Sequence, residues 1–176
     1  MNQSEFDERI ASVHGAVAEA ARRAGREPGS VDILPVTKGF PAAVVRLVAG
    51  AGFTAVGENR VGEAETKRAE LGEAAADLAW HMIGHLQRNK ASRAVALFDR
   101  IDSVDSLRLA RRLSADAGAA GRAELPVLVQ VNASGEASKG GFDVARGPAA
   151  GVEAVAAIRE LPGLRVQGLM TMAPFE

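Results

Sequence analysis

The chain has 176 residues, with 21 basic and 22 acidic side chains and a formal net charge of −1. That length suits one domain with a sizeable core, and the balanced charge argues against a general nucleic-acid or anionic-membrane binder, which would show a basic excess. With no Cys and no Tyr, disulfides, thiolate nucleophiles, cysteine-ligated metal centres and phenolic acid–base groups are excluded.

In chain order, Met1 to Glu8 is acidic and lacks the basic and apolar stretches of a signal peptide. Arg46 interrupts the longest apolar run, which falls short of the ~18 residues a membrane span needs. A cytoplasmic protein with no membrane partner is expected. Ser4 and Asp7 make a weak capping box, and Phe6, Ile10, Val13, Val17 and Ala20 recur at helical period. Together they predict a helix over residues 4–25 that stops at Gly25. After Pro28-Gly29, the run Asp32 to Lys38 reads as a buried strand, and similar runs follow at 54–57, 79–84, 100–104, 127–131 and 165–170. Helical patterns at 41–51, 60–76, 87–97, 106–120 and 146–160 lie between them.

Strand alternating with helix predicts parallel βαβ units, and strands apolar nearly throughout are those covered on both faces. The spacing is close to the ~30 residues of one such unit. A closed (β/α)8 barrel needs eight strands, whereas these runs supply six. The expected fold class is therefore α/β, a TIM-type barrel incomplete at about six of its eight units. No linker divides the chain, so residues 1–176 are expected to form a single, partial domain.

In such folds the functional groups sit at the carboxyl ends of the strands. Lys38 closes the first strand, where partial desolvation would free its amine to attack an aldehyde; the plainer reading is a lysine reaching solvent at the barrel mouth. His81 and His85 are four apart, a metal-ligand spacing on a helix. They straddle a strand end without a third ligand nearby, which favours a hydrogen-bonded, structural His81. His14 reads as surface, and Arg88, Lys90 and Arg93 form a small basic cluster best read as a solvated face. Glu58 and Asp105 are candidate bases, yet both precede helices, where carboxylates are common caps. Gly140 and Gly141 follow Lys139 in a flexible, cationic stretch after the fifth strand.

Taken together, Val36-Thr37-Lys38, Gly57-Glu58-Asn59 and the eleven residues from Trp80 to Lys90 resemble the pyridoxal-phosphate homeostasis proteins. That family shares its barrel with the N-terminal domain of alanine racemases. Asp102 to Asp105, Gln130 to Asn132, Ser138 to Gly141 and Gly168 to Met172 continue the match in order. The resemblance implies a binder of pyridoxal 5′-phosphate that carries or buffers the cofactor without turnover. It makes Lys38 the Schiff-base lysine and places Asn59 beside the cofactor ring. Lys139 falls on a second lysine implicated in cofactor exchange, and His81 and Met170 join the cofactor-binding residues.

Two departures from the family pattern stand out. Phe40 occupies the place of a further lysine that family members often carry. The chain also stops at Pro174-Phe175-Glu176, before the family's last two strands and the Arg-x-Gly segment that cradles the phosphate. A chain lacking that cup could be a fragment unable to hold the cofactor. An open sheet would leave two edges, so marginal stability or association is expected where the family is monomeric. A racemase reading needs a second acid–base group, a Tyr from an added β-domain, and the chain has none. A Schiff-base lyase of the aldolase type lacks support in the Trp80–Lys90 stretch.

Overall fold

Helix α1 (Gln3–Arg23) begins where Asn2 accepts a hydrogen bond from the Glu5 amide at 3.0 Å while the Glu5 carboxylate accepts from the Asn2 amide at 3.0 Å. This reciprocal pair, rather than Ser4 and Asp7, is the capping box. Gly25, at φ 67°, ends the helical run as expected. The computed structural model describes residues 2–136, 139–145 and 147–173. They group into two compact units, Met1–Gly57 with Lys67–Leu78, and Glu58–Thr66 with Ala79–Glu176.

In the first unit, helix α2 (Ala42–Gly50) buries Ala42, Val45 and Val48, one stripe at helical spacing. The Gln3 amide donates to the Leu47 carbonyl at 3.1 Å and ties α1 to α2. The strand expected at 32–38 does not form. Pro35 has no amide hydrogen, and Val36 makes only an isolated parallel bridge to Gly57 in β1 (Ala55–Glu58). Val36 is accordingly 41% exposed where a buried strand residue was expected.

The second unit is built on parallel strands β2 (Ala79–Met82), β3 (Arg100–Val104), β4 (Leu125–Asn132) and β6 (Leu164–Met170). β2 pairs with β3, β3 with β4, and β4 with β6, all in parallel. Helices α4 (Ala91–Leu97), α5 (Leu107–Ala119) and α6 (Ala149–Arg159) alternate with them, as the βαβ pattern predicts. A short strand β5 (Phe142–Asp143) continues beside the end of β4, and the sequence reading missed it. Trp80, Met82, Phe98, Ile101, Leu109 and Leu113 are the large, fully buried side chains at the centre of this unit.

The ladder slips twice. Ile101 pairs with Val127 but Val104 with Val129, so one extra residue bulges within β3. Val127 pairs with Val166 but Leu128 with Gly168, which leaves Gln167 as a second bulge. The β3 bulge explains why Ile101, Asp102, Ser103 and Val104 are all buried in succession instead of alternating.

Arg122 clamps this arrangement from the turn after α5. Its guanidinium donates to the carbonyls of Val95 (2.9 Å), Phe98 (2.6 Å) and Asp99 (3.0 Å), satisfying the C-terminal end of α4. Replacing it strands several carbonyls at once. Arg122→Met is expected to lower stability by about 2 kcal/mol, read as a shift of the urea midpoint at unchanged slope.

Candidate cofactor site

Lys38 belongs to the first unit, and Asn59, His81, Lys139 and Met170 to the second. Before Lys38 the backbone is held tightly. The buried Thr37 donates its amide to the Gly57 carbonyl at 3.0 Å, and its own carbonyl accepts from the Phe40 amide at 3.1 Å. That same carbonyl accepts from Nζ of Lys67 at 2.7 Å, and Lys67 is only 5% exposed. Gly39, at φ 74°, completes the turn. Lys38 itself is exposed and makes no ion pair among the described residues. The desolvation expected of a strand-end lysine is therefore absent here, because the segment is a bridge and a turn rather than a buried strand. Phe40 is 56% exposed.

In the second unit, Asn59 follows the end of β1 and its backbone presses against Gly84. A Cβ on Gly84 would fall 2.4 Å from the Asn59 carbonyl oxygen, so only glycine fits. Ser103 pins that loop by donating Oγ to the Gly84 carbonyl at 2.6 Å. The Ile83 amide donates to the Glu58 carbonyl at 2.9 Å. Glu58 is a fully buried carboxylate rather than an accessible base.

His81 lies on β2 with Arg100 as its cross-strand partner. Its buried Nδ1 stands 3.5 Å from Asp102 without a hydrogen bond to it, and Arg100 grips the same carboxylate at 2.6 and 3.2 Å. Burial alone would raise the Asp102 carboxyl, but the Arg100 hydrogen bonds and charge, with His81 close by, outweigh it and hold it below its usual range. His85 takes a different carboxylate, with Nδ1 donating to Asp105 at 2.8 Å. The two histidines thus face different carboxylates, and no group of three His, Cys, Asp or Glu suited to a metal occurs among the described residues. Asp105 is not the cap of α5; Ser106 is, accepting from the Leu109 amide at 3.3 Å.

The end of β4 organises the remaining residues. Gln130 pairs with Met170 across the sheet and donates its amide to the Gly140 carbonyl at 2.9 Å. Asn132 donates to the carbonyls of Glu136 (2.9 Å) and Lys139 (3.0 Å), and accepts from the Gly135 amide at 3.0 Å. Lys139 pairs with Glu136 at 2.7 Å, and its hydrogen bond holds the Glu136 carboxyl below the usual range. Gly141 is forced: at φ 115°, a Cβ would lie 2.8 Å from the Gln130 carbonyl oxygen. Ser138, in the same motif, lies outside the described residues, as do Pro174, Phe175 and Glu176.

These strand-end residues can be set against known proteins. Residues 15–176 match the family described as alanine racemase, N-terminal domain. A pyridoxal phosphate homeostasis protein of Pseudomonas aeruginosa is 43% identical over 169 residues, which cover 96% of this chain and 70% of the relative. The chain belongs to the pyridoxal phosphate homeostasis protein family. Its α/β fold is accordingly the parallel, TIM-barrel-like fold of the alanine racemase N-terminal domain. A crystal structure of a protein of unknown function from Bifidobacterium adolescentis superposes with a TM-score of 0.88 at 35% identity, covering 97% of this chain and 70% of that one. PipY of Synechococcus elongatus, solved with pyridoxal phosphate bound, superposes with a TM-score of 0.74 at 39% identity, covering 91% and 72%. No helix among the described residues is long and apolar enough to cross a membrane.

The Asp102 cluster in this family member gives a pH signature. Because its carboxyl is depressed in the folded state, its contribution is complete above the unfolded value of about 3.9 and is lost as pH falls through the lower folded value. Asp102→Asn is expected to lose roughly 1–3 kcal/mol at neutral pH. It should also flatten the acid limb of stability against pH, measured by urea unfolding across the carboxylate range.

Proposed function

We propose that residues 1–176 act as one cofactor-binding domain that carries or buffers pyridoxal 5′-phosphate without turnover. The observation that carries this reading is Lys38, an exposed primary amine free of ion pairs among the described residues, on backbone fixed by Thr37. The cofactor supplies a reactive aldehyde that condenses with a primary amine, and a phosphate. Lys38 presents that amine, while Thr37 and Lys67 hold the backbone from which it projects. Asn59 is assigned to the cofactor ring, in a loop whose approach to Gly84 leaves no room for another side chain. His81 and Met170 are assigned to the cofactor's surroundings. Lys139, already paired with Glu136, is the amine that exchange of cofactor would release.

The homologues' names and the PipY complex support the same reading. So does the absence of Tyr, since no phenolic base is available for two-base racemisation. The reading places the protein in the cytoplasm with a small-molecule cofactor as its partner and no nucleic-acid or membrane partner. It leaves the chain monomeric like its family, with association over an open sheet edge as the alternative.

The test is spectroscopic. Added pyridoxal phosphate should give the wild-type chain a stable visible absorbance band that Lys38→Ala abolishes. Lys67→Met should slow its appearance several-fold, because the Thr37 carbonyl loses a donor. Absence of a band in wild type, or its survival in Lys38→Ala, would overturn the assignment of Lys38. Steady racemisation or decarboxylation of amino acids by the loaded protein would overturn the carrier reading.

A further inference from the structure

The stretch after β2 borders two clefts of the second unit that the cofactor reading does not use in full. One, of about 310 Å³, runs from Asn59, Arg60 and Val61 to Lys90. The other, of about 450 Å³, lies between Arg88 and the start of α5, with Asp105, Ser106 and Arg108 on its wall. They share the wall His85-Leu86-Gln87. Both open at the carboxyl ends of strands, where parallel folds place their ligands.

The charge around them is one-sided. Arg60, Arg88, Lys90 and Arg108 are all exposed, and none makes an ion pair among the described residues. Arg93, by contrast, is paired with Glu65, and Arg112 with Asp116. The acid lining these clefts, Asp105, is occupied by the His85 Nδ1–H and the Ser106 hydroxyl. With Nδ1 engaged and the side chain 73% exposed, His85 leaves Nε2 without a partner among the described residues. Four unpaired cations thus gather in a chain whose net charge is −1.

We propose that these clefts form a binding site for a small ligand carrying two or more phosphate groups, held by Arg88 and Lys90 with Arg60, His85 and Arg108. Cavities of this size suit a small molecule. Arg and Lys at a concave rim match the charge of phosphate oxygens. A single-stranded nucleic acid is disfavoured, because the residues lining the clefts include no Phe, Tyr or Trp on which bases could stack. The proposal does not depend on Lys38, although Asn59 at one end of the first cleft is also assigned to the cofactor ring.

Isothermal titration of the full chain with pyrophosphate, and separately with ATP, tests it. Pyrophosphate should bind wild type and Lys38→Ala alike, and binding should weaken by about tenfold or more in the double variant Arg88→Glu/Lys90→Glu. Arg108→Glu alone, an exposed change on α5, should weaken it by a smaller factor with the thermal melt unchanged. Tighter binding of ATP than of pyrophosphate would identify a nucleotide as the source of the phosphates, and equal binding a free polyphosphate. The proposal falls if neither probe binds, or if the charge reversals leave binding intact. It also falls if Lys38→Ala abolishes binding, or if the double variant loses pyridoxal phosphate along with pyrophosphate, because the clefts would then belong to the cofactor's own site.

Discussion

A lysine proposed to bond the cofactor aldehyde needs fixed backbone beneath it, and next to Lys38 the Thr37 carbonyl provides the anchor. Pro35 interrupts the pairing that would otherwise make a strand, so the sheet ladder cannot hold the segment. Two donors converge on the Thr37 oxygen instead, the Phe40 amide from the turn and the buried Lys67 amine from helix α3 (Val61–Leu71). A buried ammonium-type group is costly unless hydrogen-bonded, and Lys67 makes that bond at the residue before Lys38. The turn can then project Lys38 outward while Thr37 stays buried.

The second unit solves the same problem with side chains at the end of β4. Gln130 and Asn132 bond the carbonyls of Gly140, Glu136 and Lys139, replacing the regular ladder where the chain leaves the sheet. The β3 bulge buries Asp102 and Ser103 in succession, which puts one on the His81 and Arg100 cluster and the other on the Gly84 carbonyl. Close backbone approaches at Gly84 and Gly141 set the shape of both loops.

Much of this was legible in the residues. Apolar periodicity located every helix to within a few positions, and the runs at 79–84, 100–104, 127–131 and 165–170 became strands. The failures have local causes. The run at 32–38 carries strand-like hydrophobicity, but Pro35 withholds a donor that hydropathy cannot register. β5 has only two residues, too few for any period. At the site, the place of Lys38 after an apolar run and the family resemblance together single out Lys38, Asn59 and His81 as the proposed cofactor residues. Asn132 enters the sequence pattern only within the Gln130 to Asn132 match, although Asn followed by Ser134 and Gly135 is a turn signal that points to its loop-holding role. The grip of Arg100 on Asp102 beside His81 depends on strand register and a bulge, and neither is written in local sequence. Arg122 is the same case, a surface residue by composition whose partners at the end of α4 lie more than twenty positions away.

The central claim is that Lys38 is the covalent anchor for the cofactor aldehyde in a protein that holds its ligand rather than transforming it. Borohydride reduction of the pyridoxal-phosphate-loaded chain, followed by peptide mapping, tests it directly. The account predicts one cofactor adduct per chain, on the peptide that contains Lys38. An adduct on Lys67, Lys90 or Lys139 instead, or none at all, would contradict it.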